Sequence, residues 1–299
     1  MKKLLFIYNP LAGRQKARQH LSSMLEVFAA RNYLVTAYPT KSRGDATYAA
    51  ANLAPDYDRV VCCGGDGTLN ETISGLMQLP PEQRPVLGYI PTGTTNDFSR
   101  NLSFPRGTDK VAAVACGGIP RACDLGLANG KWFTYVAAFG LFTDVTYTTP
   151  QNTKNLLGHT AYVLEGASRL ASLKSYWLTV EADGVVIEGE FIYGMVGNTV
   201  SVGGLLSLPS DLVKLDDGLF EVVLVRKPRN ATDLQTIFRA LTTQIMPDGE
   251  GPIVALRASH LSFTCPEPLP WTLDGEFGGE HTTTEIENLP RAVVIACGK

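Results

Sequence analysis

The sequence predicts an α/β plus β architecture: an open α/β layered domain followed by a mainly antiparallel β domain. Two patterns and one bound lead there. From residue 4 to residue 90 short apolar runs alternate with helix-period stretches, whereas beyond about Asp124 apolar runs follow one another between Asp-Gly and Gly-Gly turns. The bound is size, since 299 residues that are 44% hydrophobic and 18% charged can bury two ordinary cores.

Residues 4–8 are apolar without alternation, the mark of a strand covered on both faces. Residues 14–31 place Ala17, Leu21, Leu25 and Phe28 on one side of a helix. Further strands are predicted at 34–38, 59–63 and 86–90, with helices at 44–53 and 69–77 between them, so the sheet should be mostly parallel. In the second half, runs at 132–139, 176–181, 188–196, 220–225 and 260–264 are bounded by Asp183-Gly184, Gly203-Gly204 and Asp217-Gly218 and read as strands. Helical patterns at 160–173 and 231–243 interrupt them. The apolar run 292–296 is assigned to the first domain, giving residues 1–124 with 290–299 returning to them, and 125–289 as the second domain.

A formal net charge of -3 and the lack of a lysine-arginine block leave no attraction toward nucleic acid. The apolar run after Lys2-Lys3 is too short for a secretory signal and stops at Asn9-Pro10. No stretch reaches the roughly 18 apolar residues that span a bilayer. The expectation is a cytoplasmic protein that meets membrane only peripherally. Six cysteines, none in a C-x-x-C pair, are expected to be buried free thiols, and the four histidines have no ligand spacing.

Chemistry concentrates at strand ends. The strand at 59–63 runs into Gly64-Gly65-Asp66-Gly67-Thr68, where glycines let backbone amides approach an anion and the next helix offers its N-terminus. A carboxylate there repels phosphates unless a divalent cation, or a hydroxyl to be deprotonated, is also present, so Asp66 implies metal or general-base work. Asp66 also suits a plain helix cap. Asn9-Pro10-Leu11-Ala12-Gly13 ends the first strand and Pro91-Thr92-Gly93-Thr94-Thr95-Asn96-Asp97-Phe98 the fourth. Loops at the carboxyl ends of neighbouring parallel strands converge on one crevice.

These three loops resemble the diacylglycerol kinase catalytic domain, and with it bacterial lipid kinases and sphingosine kinases. The resemblance continues through Asp124-Leu125-Gly126, Leu215-Asp216-Asp217-Gly218-Leu219 and Leu273-Asp274-Gly275-Glu276, and no Walker-type G-x-x-x-x-G-K-[ST] is present. It implies a two-domain lipid kinase with ATP in the cleft. Asn9, Pro10, Gly13, Thr40, Gly64, Gly65, Gly67, Thr68, Asn70, Glu71, Gly93, Thr94, Asn96 and Asp97 would form the nucleotide site. Asp66, Asp97 and Asp124 would hold a catalytic magnesium, Mg2+, directly or through water, and Glu276 falls at the family's proposed general base. Asp217, with backbone carbonyls of Lys214 and Leu219, resembles a second, structural magnesium site. The implied partner is a membrane lipid, with no nucleic acid and with room for a homodimer.

Plainer readings stand beside these. Asp217-Gly218 and Asp274-Gly275 both suit hairpin turns. The apolar helix at 160–173, with Gly203-Gly204-Leu205-Leu206, is the candidate slot for acyl chains, although such a helix also suits a core. The stretch SVGGLLSLPSDLVK before the Asp217-Gly218 turn departs from relatives, which usually show proline then alanine there. An NAD kinase or phosphofructokinase with the same GGDGT motif, and a nucleotide-binding regulator without turnover, remain as alternatives.

Overall fold

The computed structural model describes residues 1–140, 174–199, 201–202, 206–207, 214–243 and 251–298; the predicted helix at 160–173 and the glycine pair 203–204 lie outside them. The first half is the expected α/β layer. Strands β1 (Lys2–Tyr8), β2 (Tyr33–Pro39), β3 (Arg59–Gly64) and β4 (Val86–Pro91) pair in parallel in the order β2-β1-β3-β4. Alternate residues of β1 and β3 serve two cores. Leu5, Ile7, Val60 and Cys62 pack with α3 (Asp45–Leu53) and α4 (Asp66–Leu76), while Leu4, Phe6, Val61 and Cys63 pack with α1 (Ala12–Gln19), α2 (Leu21–Ala29) and α5 (Thr108–Gly117). That double cover is why the strands read as unbroken apolar runs. The alanine-rich face of α3 lies so close to α4 that a side chain at Gly75 would meet Ala50 and the Thr47 carbonyl.

The helix predicted over 14–31 is two helices, broken at His20, whose φ of -106° and ψ of 12° leave the helical region. Ala17, Met24 and Phe28 stay buried across the break, so the apolar spacing carries no sign of it. Not predicted were a 3-10 turn at Asp97–Leu102, α5, and β5 (Ile119–Ala128), within which Asp124 falls.

The second half is antiparallel and β-rich. Its elements are β6 (Lys131–Phe133), β7 (Val136–Gly140), β8 (Tyr176–Ala182), β9 (Val185–Gly197), the short pair β10 (Ser201–Val202) and β11 (Leu206–Ser207), β12 (Phe220–Arg226), α6 (Ala231–Thr243), β13 (Ile253–Ala258), β14 (His260–Leu273) and β15 (Glu276–Cys297). The run predicted as one strand at 132–139 splits because the backbone amides of Thr134, Tyr135 and Val136 turn onto the Asp274 carboxylate. Phe139, Phe263 and Trp271 form an edge-to-face cluster with centroids 5.0–6.0 Å apart in the core between β7 and β14.

β15 ties the halves together. It pairs antiparallel with β14 and β5, then meets β4 in parallel at Ile295 and Leu87, so one sheet runs through both. Its path kinks where the pairing with β5 shifts between Leu289 and Val293, with Arg291 at a φ of 54°. All six cysteines are free and buried, as expected; burial pushes the thiols of Cys62 and Cys63 up to about 12, so neither is a nucleophile. Among the described residues no helix is long and apolar enough to cross a membrane.

Candidate active site

Because β1, β3 and β4 are neighbours, the loops leaving their carboxyl ends lie side by side and touch through glycine. A side chain on Gly13, at a φ of 53°, would run into the Thr92 carbonyl, and a Cβ on Gly93 would come within 2.5 Å of Gly65 Cα. Backbone bonds close the seams: Asn9 N–H donates to the Cys63 carbonyl at 2.9 Å and Thr92 N–H to that of Gly64 at 2.8 Å. Asn96, in the left-handed region, shapes the third loop by accepting from Gly93 N–H at 2.8 Å and donating back to its carbonyl at 2.9 Å.

These loops wall a cavity of about 500 Å³. Of the predicted nucleotide set, Asn9, Gly13, Thr40, Gly65, Gly67, Thr68, Glu71, Gly93 and Thr94 line it, joined by Lys41 and Arg43. Pro10, Gly64, Asn70, Asn96 and Asp97 are not on its wall. The amino end of α4 faces this space with glycines on either side of Asp66, an arrangement suited to phosphate oxygens. Glu71 accepts Gly44 N–H at 2.9 Å, fixing the loop that carries Lys41 and Arg43 along the rim.

Asp66 is buried at the start of α4 and reaches toward the third loop. It accepts from Asp97 N–H at 3.1 Å, Phe98 N–H at 3.4 Å and the Thr95 hydroxyl at 3.5 Å. Burial raises its pKa, and the charges of Asp97 and Asp274 add to that. Asp97 is also buried, and its Oδ1 has no hydrogen-bond partner, with Arg100 Nε at 3.8 Å. Two buried carboxylates with an uncommitted oxygen between the loops are a donor set for a hard cation.

A second cavity, of about 650 Å³, adjoins the first and shares Arg43, Gly67 and Glu71 with it. The β14–β15 turn forms one of its walls. Glu276 stands there, exposed, with Oε1 4.0 Å from the position a Gly67 side chain would take and Oε2 3.7 Å from Arg43. Asp274 points inward instead. It accepts from Asn70 Nδ2 at 2.8 Å, from the Thr134 amide and hydroxyl at 2.7 Å each, and from the amides of Tyr135 and Val136 at 3.0 and 3.1 Å.

The structure groups the remaining acids differently from the expectation. Asp124 is tied elsewhere than to Asp66 or Asp97: its two oxygens accept from Gly218 and Arg291 N–H, both at 2.7 Å, and its own amide donates to Leu215. Asp124 therefore belongs to the turn carrying Lys214, Asp217 and Leu219, and it staples the kink of β15. Asp217 accepts Leu219 N–H at 3.2 Å and pairs with Arg257, whose Nε also faces the buried Glu221 at 3.3 Å. An ion held there by Asp217 has to displace that guanidinium. Among the described residues no three His, Cys, Asp or Glu side chains converge as a ready metal cluster. Asp217→Asn should lower the melting temperature by about 2 °C, the worth of a half-exposed pair of about 1 kcal/mol. A magnesium-dependent rise in wild-type melting temperature that this variant abolishes would instead place an ion at the turn.

Sequence reasoning missed Arg43, Lys131, Arg257 and the inward role of Asp274. Lys131, on the wall of the second cavity, donates through Nζ to the Gly278 carbonyl at 2.7 Å. The choice of Asp where Asn or Gly would serve the turn was the one signal available for Asp274; nothing local marks Arg257.

The family model described as "Diacylglycerol kinase catalytic domain" matches residues 3–128, and that described as "YegS C-terminal NAD kinase beta sandwich-like domain" matches residues 137–297. A diacylglycerol kinase of Bacillus subtilis (strain 168) is 37% identical over 100% of this chain and 97% of its own. One from Staphylococcus carnosus (strain TM300) is 33% identical over 93% of this chain and 90% of its own. A crystal structure of a diacylglycerol kinase from Bacillus anthracis str. Sterne superposes with a TM-score of 0.78 at 27% identity, covering 99% of this chain and 97% of that one.

Proposed function

Since the chain belongs to the diacylglycerol kinase family, we propose that it transfers the γ-phosphoryl group of ATP to the hydroxyl of a membrane lipid, diacylglycerol in the first place. The observation that carries the reading is the glycine-walled cavity at the amino end of α4, opening beside Glu276. Phosphoryl transfer asks the protein mainly for positioning and charge neutralisation. In this reading the amides around Gly65, Gly67 and Thr68 hold phosphate oxygens, and Lys41 and Arg43 lie on the rim to balance their charge. Glu276 accepts the proton of the lipid hydroxyl as it attacks.

Magnesium fits the donors at Asp66 and Asp97, because a buried oxygen of Asp97 lacks a partner and Asp66 is held against its own desolvation. The ion would neutralise the bridging phosphate oxygens. Asp124 stands with the Asp217 turn, and its part in this reading is to brace β15. The same reading divides the chain into 1–124 and 125–289, and the parallel pairing of Ile295 with Leu87 supports giving 290–299 to the first part. It also carries peripheral contact with the bilayer that presents the lipid, a cytoplasmic location, and a homodimer as the assembly to test.

Purified protein with ATP, magnesium and diacylglycerol in mixed micelles should yield phosphatidic acid, and a chelator should stop it. Phosphorylation of NAD or a sugar phosphate with no lipid product would overturn the reading in favour of another GGDGT kinase. ATP binding with no turnover on any acceptor would favour a regulator.

A further inference from the structure

Asn70 was expected among the nucleotide ligands, yet both hydrogens of its amide are taken. Nδ2 donates to the Trp132 carbonyl at 3.1 Å and to Asp274 Oδ2 at 2.8 Å, and Oδ1 accepts from Ser74 at 3.5 Å. An asparagine amide has two donor hydrogens, so none remains for a ligand. The side chain lines the second cavity and not the first.

Asp274 and Gly275, with φ of 51° and 81°, are the two central residues of the hairpin turn joining β14 to β15. Asn or Gly serves such a turn as well, and burying a carboxylate is costly without full hydrogen bonding. Four of its five donors come from one stretch, Thr134 to Val136, in its own half of the molecule. The fifth, Asn70, comes from α4, whose first turn carries Asp66 and Gly67. Glu276 lies two residues beyond Asp274 and is exposed, with Arg43 its one ion-pair partner among the described residues. Where its carboxylate stands relative to the phosphate loop is thus set by how the turn is tied to α4.

We propose that Asn70 and Asp274 form a strut that sets Glu276 over the phosphate loop, with Asn70 acting as a positioning residue and not as a nucleotide ligand; this rests on the reading of Glu276 as proton acceptor. The test measures kcat and direct ATP affinity. Asn70→Ala should lower kcat about 10- to 100-fold, as small misplacements of reacting groups do, while ATP affinity stays within about twofold. Asn70→Asp sets two carboxylates against each other and should cost more than Asn70→Ala. On a Glu276→Gln background Asn70→Ala should add little, since residues acting through one group are not additive. A fall in ATP affinity matching the fall in kcat would overturn the strut. An impaired Glu276→Gln enzyme to which Asn70→Ala adds its full loss would overturn it while leaving the base reading intact. Undiminished turnover of Glu276→Gln itself would remove the premise and the proposal together.

Discussion

Replacing Glu276 by glutamine should leave ATP affinity near that of the wild type and cut kcat by about 100- to 10,000-fold, the usual contribution of a positioned base. Glutamine keeps the size and polarity of the side chain but cannot take a proton. The loops that wall the first cavity, proposed to hold the nucleotide, follow β1, β2, β3 and β4, and Glu276 is not on that wall, so binding has no reason to change. The rival is Asp66, a buried carboxylate whose pKa desolvation raises. Its oxygens, however, already accept from Asp97, Phe98 and Thr95. Glu276 has free lone pairs and stands where the two cavities meet. A Glu276→Gln enzyme with near-normal kcat would leave the proton to Asp66.

Asp66→Asn should lower kcat by about 100- to 1,000-fold, as losses of a preorganised charge at the reacting phosphate do, and should raise the magnesium concentration needed for half-maximal rate. One end of the new amide is a donor facing the N–H groups of Asp97 and Phe98, so the β4 loop should shift as well. The variant also changes how stability depends on pH. Burial raises the folded-state pKa of Asp66 above its unfolded value of 3.8, so between the two the native state binds the extra proton. In magnesium-free buffer this residue's contribution favours folding below the unfolded value and is lost as pH rises through the folded one. Asp124 and Asp274 are raised in the same direction, also by burial first, so the readout is the difference between wild type and Asp66→Asn. On acidification the wild type should gain stability relative to Asp66→Asn, and magnesium at neutral pH should stabilise the wild type more. A constant difference in melting temperature from pH 7 to 4, indifferent to magnesium, would remove both the pKa argument and the cation from Asp66.

What was legible in the sequence was what burial on two faces imposes. Strands β1 and β3 could be bounded to within two residues because their inner side chains, Leu4 to Ile7 and Val60 to Cys63, are all apolar, and the strand-end loops that wall the first cavity could be read with them. β15 could not be read: its buried positions include Thr284 and Asn288, polar residues that hide the alternation, so only its apolar end at 292–296 stood out. β5 was hidden by Pro120 and Arg121, exposed at its start. The same limit applies to the site. Asp66, Gly67 and Glu276 sit in motifs, but whether Asn70 faces a nucleotide or Asp274, and whether Asp124 faces Asp66 or the Asp217 turn, depends on side-chain directions set by packing across 94 to 204 residues of chain.

The path of β15 bears on whether the molecule can be taken apart. A cut before Glu276 would strip β14 and β5 of their partner along most of their length and leave β4 with an open edge. Exposed ladders of this kind recruit other chains. Neither half is therefore a stand-alone module, despite separate cores and separate motifs. Fragments that trade catalytic loops between relatives have to carry the final strand of the same parent, or the graft will present unpaired backbone to solvent before it can present a site to ATP.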